Sequence, residues 1–246
     1  MIMPGHWRIF IALSLTIAIA GCRSKPGPGS ALNAVAMGAA LVESSGGKQI
    51  GATGTVLAQP LVVQVNDEKG TAVVGALVEF SAPTGVRFDP PSGLTDSNGQ
   101  LATKIALGGI AGRYQITVLT PTIAHKFIEL KIEETALGYQ QQAGLQLSDK
   151  YCARCHEPES SPERVSNFDN LAVKPHPFTD GDALNKMSDP DLIAIVSHGG
   201  SALNKSPLMP LYGDTLSKTE IEALIAYIRM VSDSPNHASE IVYAQK

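Results

Sequence analysis

The chain has 246 residues, 43% of them hydrophobic, with 19 Lys and Arg against 23 Asp and Glu for a formal charge of -4. This balance lacks the basic excess of a nucleic-acid binder. The length allows one large domain or two small ones in a weakly acidic globular protein.

At the N-terminus, Arg8 precedes an apolar run from Ile9 to Ala20, followed by Gly21-Cys22. The run is short for a bilayer span. Its order of charge, apolar core and small residues is that of an export signal, expected over residues 1–21. Ile19-Ala20-Gly21-Cys22 also resembles the lipobox of bacterial lipoproteins. The resemblance implies cleavage before Cys22, diacylation of that cysteine and stable anchoring to a membrane of the cell envelope. The protein would then face the periplasm or lie on the cell surface. Arg23 stands where many inner-membrane lipoproteins carry aspartate, which leans toward the outer membrane. Residues 22–35 include a run rich in Pro, Gly and Ser and are expected to form a flexible tether.

From Ala36 to Ile132 the pattern becomes short segments of alternating hydrophobicity. Leu61, Val63 and Val65 share one face, as do Val78 and Phe80. Leu101, Thr103, Ile105 and Leu107 alternate next, then Tyr114, Ile116 and Val118, then Ile128, Leu130 and Ile132. Turn residues such as Asn66-Asp67-Glu68-Lys69-Gly70 and Asp96-Ser97-Asn98-Gly99 separate them, so an antiparallel β-sandwich is expected. The stretches Leu61–Asp67, Val73–Phe80, Thr95–Gln100 and Ala111–Tyr114 resemble, in order, bacterial Ig-like domains of the invasin/intimin type. Such domains serve as spacers or adhesion modules. Asp67 and Asp96 fit turn roles better than calcium binding, and His125 reads as a solvent-facing residue.

Residues 133–137, beginning with Glu133-Glu134, are expected to be a linker, and from 138 the pattern is helical. Gly144, Leu147 and Tyr151 lead into Cys152-Ala153-Arg154-Cys155-His156, the attachment signature of c-type haem. On one helical turn the two thiols face the same way, each able to form a thioether with one porphyrin edge. His156, four residues after Cys152, shares that side and can reach the iron. A redox disulfide or half of a zinc site are the competing uses of the pair, but no second Cys/His pair at ligand spacing exists for zinc. With Cys22 assigned to lipid, no cysteine remains for a disulfide.

A third helix is expected from the Ser188 cap to Gly199-Gly200. The last opens with the capping box Ser217-Lys218-Thr219-Glu220 and places Ile221, Leu224, Ile225, Ile228 and Val231 on one face. Candidates for a sixth iron ligand are Met187, Met209, Met230, His176 and His198. Met230 lies off the apolar face, Met187 suits a hydrophobic staple with Leu192, and His198 suits a helix C-terminus. Met209 sits in the proline-held loop Ser206-Pro207-Leu208-Met209-Pro210, with His176 as its chief competitor.

Residues 138–232 resemble class I cytochromes c. The resemblance rests on Gly144 eight residues before Cys152, the Cys152–His156 run, the Met209-Pro210 loop and Ala226-Tyr227-Ile228-Arg229. It implies one covalent haem c, with iron held by His156 and Met209, and an all-α domain behind the all-β Ig-like one. Glu157 departs from the glycine often found after the histidine and puts the haem-edge geometry in question. Pro158 or Pro162 is expected to support the proximal imidazole. Residues 233–246 read as a polar C-terminal tail.

Closed His/Met ligation suits one-electron transfer to redox protein partners. The expected function is therefore a membrane-tethered electron carrier without an enzymatic site. Two rival readings exist: a peroxidase-like haem enzyme with a labile sixth ligand, and an Ig-like adhesion or assembly lipoprotein with a haem sensor.

Overall fold

The computed structural model describes residues 36–83, 85–124, 126–157 and 166–232, and the backbone of 241–243. The signal, Cys22, the tether, His125, Pro158 and Pro162 lie outside the described residues. Among those described, no helix is long and apolar enough to cross a membrane.

Among the described residues, ten strands form two sheets. They are β1 (Ala40–Ser45), β2 (Ile50–Ala52), β3 (Leu61–Asn66), β4 (Leu77–Ser81), β5 (Arg87–Asp89), β6 (Ser92–Leu94), β7 (Gln100–Ala106), β8 (Gly112–Pro121), β9 (Phe127–Leu137) and β10 (Ile241–Tyr243). The sheet orders are β10-β1-β3-β7-β5 and β2-β9-β8-β4-β6. The period-two pattern makes the sandwich, because every second side chain of a strand points the same way. Leu61, Val63 and Val65 of β3 and Ile105 of β7 are fully buried against Val78, Ile116, Val118 and Leu130 of the other sheet. Each such side chain contributes roughly 1.5–3 kcal/mol over its exposed state. Asp67 and Asp96 act as turn formers. The Asp67 carboxylate accepts from the Lys69 and Thr71 amides, both at 2.8 Å. Asp96 accepts from Asn98 and Gln100 at 2.8 and 2.9 Å.

Three expectations need correction. The sandwich is not wholly antiparallel, since β2 runs parallel to β9 with Ile50 opposite Thr135. Residues 133–137 are not a linker but the second half of β9, paired with β8 from Arg113↔Thr135 to Thr117↔Lys131 and beyond. The acidic pair disguised the strand. Glu133 turns outward to Arg113, with Nη1 to Oε2 at 2.8 Å, whereas Glu134 is fully buried and accepts from the Gln49 amide at 2.7 Å. The tail is more than a polar extension, because Ile241–Tyr243 adds an antiparallel edge strand to β1, Leu41 opposite Val242.

Among the described residues, five α-helices follow: α1 (Tyr139–Tyr151), α2 (Ala153–His156), α3 (Gly181–Leu184), α4 (Asp189–His198) and α5 (Lys218–Val231). Only Gly138 separates β9 from α1, and Leu137 already belongs to the helical core with Leu224, Ile225 and Ile228. The α1–α5 crossing depends on Gly144. A Cβ there would stand 2.1 Å from the Ala223 carbonyl oxygen and 2.6 Å from the Tyr227 Cβ. Ser217 and Glu220 form the expected capping box of α5, and Ser188 caps α4 through the Asp191 amide.

The C-terminus of α5 is held by the sandwich. Arg113 of β8 donates from Nε to the Met230 carbonyl at 3.1 Å and from Nη2 to the Ser232 carbonyl. Carbonyls at a helix end lack intrahelical donors and carry the negative end of its dipole, so a guanidinium satisfies both.

Candidate haem site

The Cys152–His156 run occupies the turn where α1 gives way to α2. Cys152 N–H donates to Ser148 O at 2.8 Å, closing α1, and its own carbonyl accepts from Cys155 and His156 at 3.0 and 2.9 Å. That local winding brings Cys152, Cys155 and His156 to one side of the turn. Both thiols are free. Cys152 is buried in the core, where burial, then the charges of Cys155 and Glu157, push its thiol up to about 12. It stays a thiol, not the thiolate of a redox pair. Among the described residues no group of three or more His, Cys, Asp or Glu is placed to hold a metal ion.

His156 is half-buried and stacks on Phe178, ring centroids 4.8 Å apart. Its Nδ1 lies 2.8 Å from the carbonyl oxygen of His176. A carbonyl can only accept, so Nδ1 carries the proton and Nε2 presents its lone pair. Burial lowers the imidazole's pKa, partly offset by the same carbonyl. This is the tautomer and orientation that a metal-ligating histidine requires. The acceptor is the His176 carbonyl, twenty residues on; Pro158 and Pro162, the carbonyls expected in that role, lie outside the described residues. His176 is thereby placed on the Nδ1 side of His156, and its own ring Nδ1 engages Asp180 Oδ2 at 2.8 Å. Both features remove it from contention as the distal ligand.

Glu157 ends α2 in extended backbone, φ −122° and ψ 137°. Any residue adopts that conformation, so glycine is not needed here. Its amide closes the turn onto Ala153 O at 3.0 Å, and its carbonyl accepts from Ser166 Oγ at 2.6 Å.

The Met209 loop is fastened at several points. Gly200 N–H donates to Met209 O at 3.2 Å, and Tyr212 and Gly213 donate to the Val196 and Ser197 carbonyls at 2.9 and 3.0 Å. Tyr212 Oη reaches back to Tyr151 O at 2.9 Å, tying the loop to the residue before Cys152. Met209 is half-buried and packs against the apolar cluster that contains Cys152 and Phe178. Gly200, read from the sequence only as part of a helix stop, also holds the loop: a Cβ there would meet the Ser206 carbonyl oxygen at 2.1 Å and the Met209 Cβ at 3.3 Å. Met187 and Met230 also pack against the same apolar cluster, their backbone carbonyls accepting from Arg229 and Arg113, and His198 is exposed at the end of α4. Cys22 lies outside the described residues.

The residues present thus fit a c-type haem: two thiols on one turn, an imidazole with its far nitrogen fixed, and a thioether held over the same apolar cluster. The fold is a two-sheet β-sandwich followed by an all-α domain that carries this constellation. Residues 140–228 match the family described as cytochrome C oxidase, cbb3-type, subunit III, a family that implies covalently bound haem iron. No curated protein matches the chain. Among solved structures, the D00-D0 domain of intimin is 14% identical, covering 43% of this chain and 50% of that one at a TM-score of 0.30. Invasin, a bacterial integrin-binding protein, is 16% identical over 39% of this chain and 18% of that one, TM-score 0.29. A glycosyl hydrolase family 2 member from Bacteroides cellulosilyticus is 18% identical over 40% and 14%, TM-score 0.31. The chain spans half or less of the length of each. The sandwich rests on its own strand order and core.

Proposed function

We propose that the protein is a membrane-tethered, monohaem c-type cytochrome that carries single electrons, its lipid anchor at Cys22. Cys152 and Cys155 would attach the haem, His156 would be the proximal ligand and Met209 the distal one. The observation that carries this reading is the 2.8 Å hydrogen bond from His156 Nδ1 to the His176 carbonyl, which aims Nε2 away from that carbonyl on the attachment turn. When bound, the haem supplies a one-electron iron couple whose ferrous state a thioether ligand favours. The chain's own residues do the rest. The His176 carbonyl fixes the imidazole, Gly144 lets α5 close the core behind the attachment turn, and Tyr212 and Gly200 hold Met209 in place. Leu208 and Leu211, 68% and 53% exposed, flank Met209 and offer an apolar rim to a redox partner. The Ig-like sandwich acts as spacer or docking module.

Expression with bacterial c-type maturation and a pyridine haemochrome assay tests the attachment. One acid–acetone-resistant haem per chain is expected, and Cys152→Ala should leave a single thioether with a red-shifted reduced α-band. A protein that emerges without covalent haem under those conditions would refute the proposal.

A further inference from the structure

The sandwich has two unlike ends. At one lie the start of β1, the turn after β3, the start of β4, the end of β6 and the β8–β9 hairpin. Along this end the outward faces of four strands form an apolar row. Leu94 pairs with Leu77, and Pro121 pairs with Phe127. The pairing Glu79↔Leu119 carries Leu77 into line with Pro121, and Thr120 Oγ1 donates to Leu77 O at 2.8 Å. Ile123 and Phe127 are 82% and 62% exposed, and Val74, in the connection leading into β4, is exposed as well. Isolated exposed side chains are ordinary, but a contiguous row marks a surface that is covered in use.

The chain itself indicates the cover. Ala36, the first described residue, bridges to Ala76 and donates its amide to Gly75 O at 3.1 Å, immediately before Leu77. The Pro/Gly/Ser-rich stretch from Cys22 therefore joins the sandwich at its apolar end. The haem domain leaves from the other end, about 33 Å along the eleven residues of β9. Charges at the apolar end nearly balance, Asp67, Glu68 and Asp96 against Lys69 and Lys126. That suits a zwitterionic lipid surface and argues against one that needs a basic patch.

We propose that this pole, formed by Val74, Leu77, Leu94, Pro121, Ile123 and Phe127, seats in the headgroup region of the bilayer that anchors Cys22, so that the haem domain projects outward. The proposal rests on the lipid-anchor reading. Seating would be insensitive to ionic strength, because its drive is apolar burial. The Leu137 packing and the Arg113 clasp carry the orientation of the sandwich into the haem domain.

The test uses full-length lipidated protein in phosphatidylcholine vesicles. Trp7, the chain's one tryptophan, precedes the cleavage site, so Phe127→Trp is a unique reporter in the mature protein. Lipids brominated near the headgroup should quench it about twofold. Val56→Trp, at the opposite end beside Ala106, should be unquenched. Adding Ile123→Asp should relieve the quenching at position 127 while the protein still sediments with vesicles. An unquenched Phe127→Trp reporter in vesicle-bound protein overturns the pole and leaves the anchor standing. Failure to sediment, or equal sedimentation of Cys22→Ala, overturns the anchor and the proposal with it. Doubling of the solution mass with a blue shift at position 127 before vesicles are added would assign the pole to a second copy.

Discussion

Glu134→Gln should make the sandwich more stable at neutral pH, by an amount that grows with pH. Glu134 is fully buried; one carboxyl oxygen accepts from the Gln49 amide at 2.7 Å, and the other, Oε1, has no hydrogen-bond partner. Burial raises its pKa from 4.5 to about 8, opposed by the Gln49 amide and assisted by the charge of Glu43. Below 4.5 the group is protonated folded and unfolded, and costs nothing. Between 4.5 and 8 only the unfolded chain ionises it, so stability falls as pH rises through that window and levels off above the folded pKa. At 1.36 kcal/mol per unit the full loss is at most about 5 kcal/mol. The substituted carboxamide would accept from the same amide and not titrate. Urea unfolding of the β-sandwich, followed by circular dichroism from pH 4.5 to 8.5, should show wild type losing stability relative to the variant with a slope approaching 1.4 kcal/mol per pH unit. Parallel pH profiles would refute the buried, protonated carboxyl.

Gly144→Ala places a methyl 2.1 Å from the Ala223 oxygen, and should destabilise the helical domain by about 3 kcal/mol, the upper part of the overpacking range. Gly109→Ala, where a Cβ meets nothing within 4 Å, should leave its thermal midpoint unchanged. Arg113→Ala removes donors from the Met230 and Ser232 carbonyls. We expect a loss of about 1–3 kcal/mol and a widening gap between the calorimetric transitions of the two domains; one unchanged transition would contradict the clasp.

Much of the fold was legible because its signals are local. Period-two alternation at Leu61–Val65 and Tyr114–Val118 and caps at Ser188 and Ser217 each fix structure within a few residues. The spacing of Cys152, Cys155 and His156, and Gly144 one helix earlier, are equally local. What escaped reading depends on partners far along the chain. The His176 carbonyl is a backbone atom, so no residue type announces it as the acceptor for His156. Glu133 and Glu134 read as the start of a linker because they are acidic, whereas long-range pairing with β8 makes them strand. The parallel β2–β9 contact and the short Ile241–Tyr243 strand hold too few residues for periodicity to declare. Gly200 is indistinguishable from its neighbour until the Ser206 and Met209 backbones close over it.

The two proposed iron ligands are tested most directly by the oxidised optical spectrum of wild type and Met209→Ala. Wild type should show low-spin iron with a weak far-red methionine–iron charge-transfer band. The band should disappear in the variant, which turns high-spin and binds cyanide rapidly. A wild-type protein that lacks the band, is high-spin and binds cyanide at the variant's rate would contradict His156/Met209 ligation.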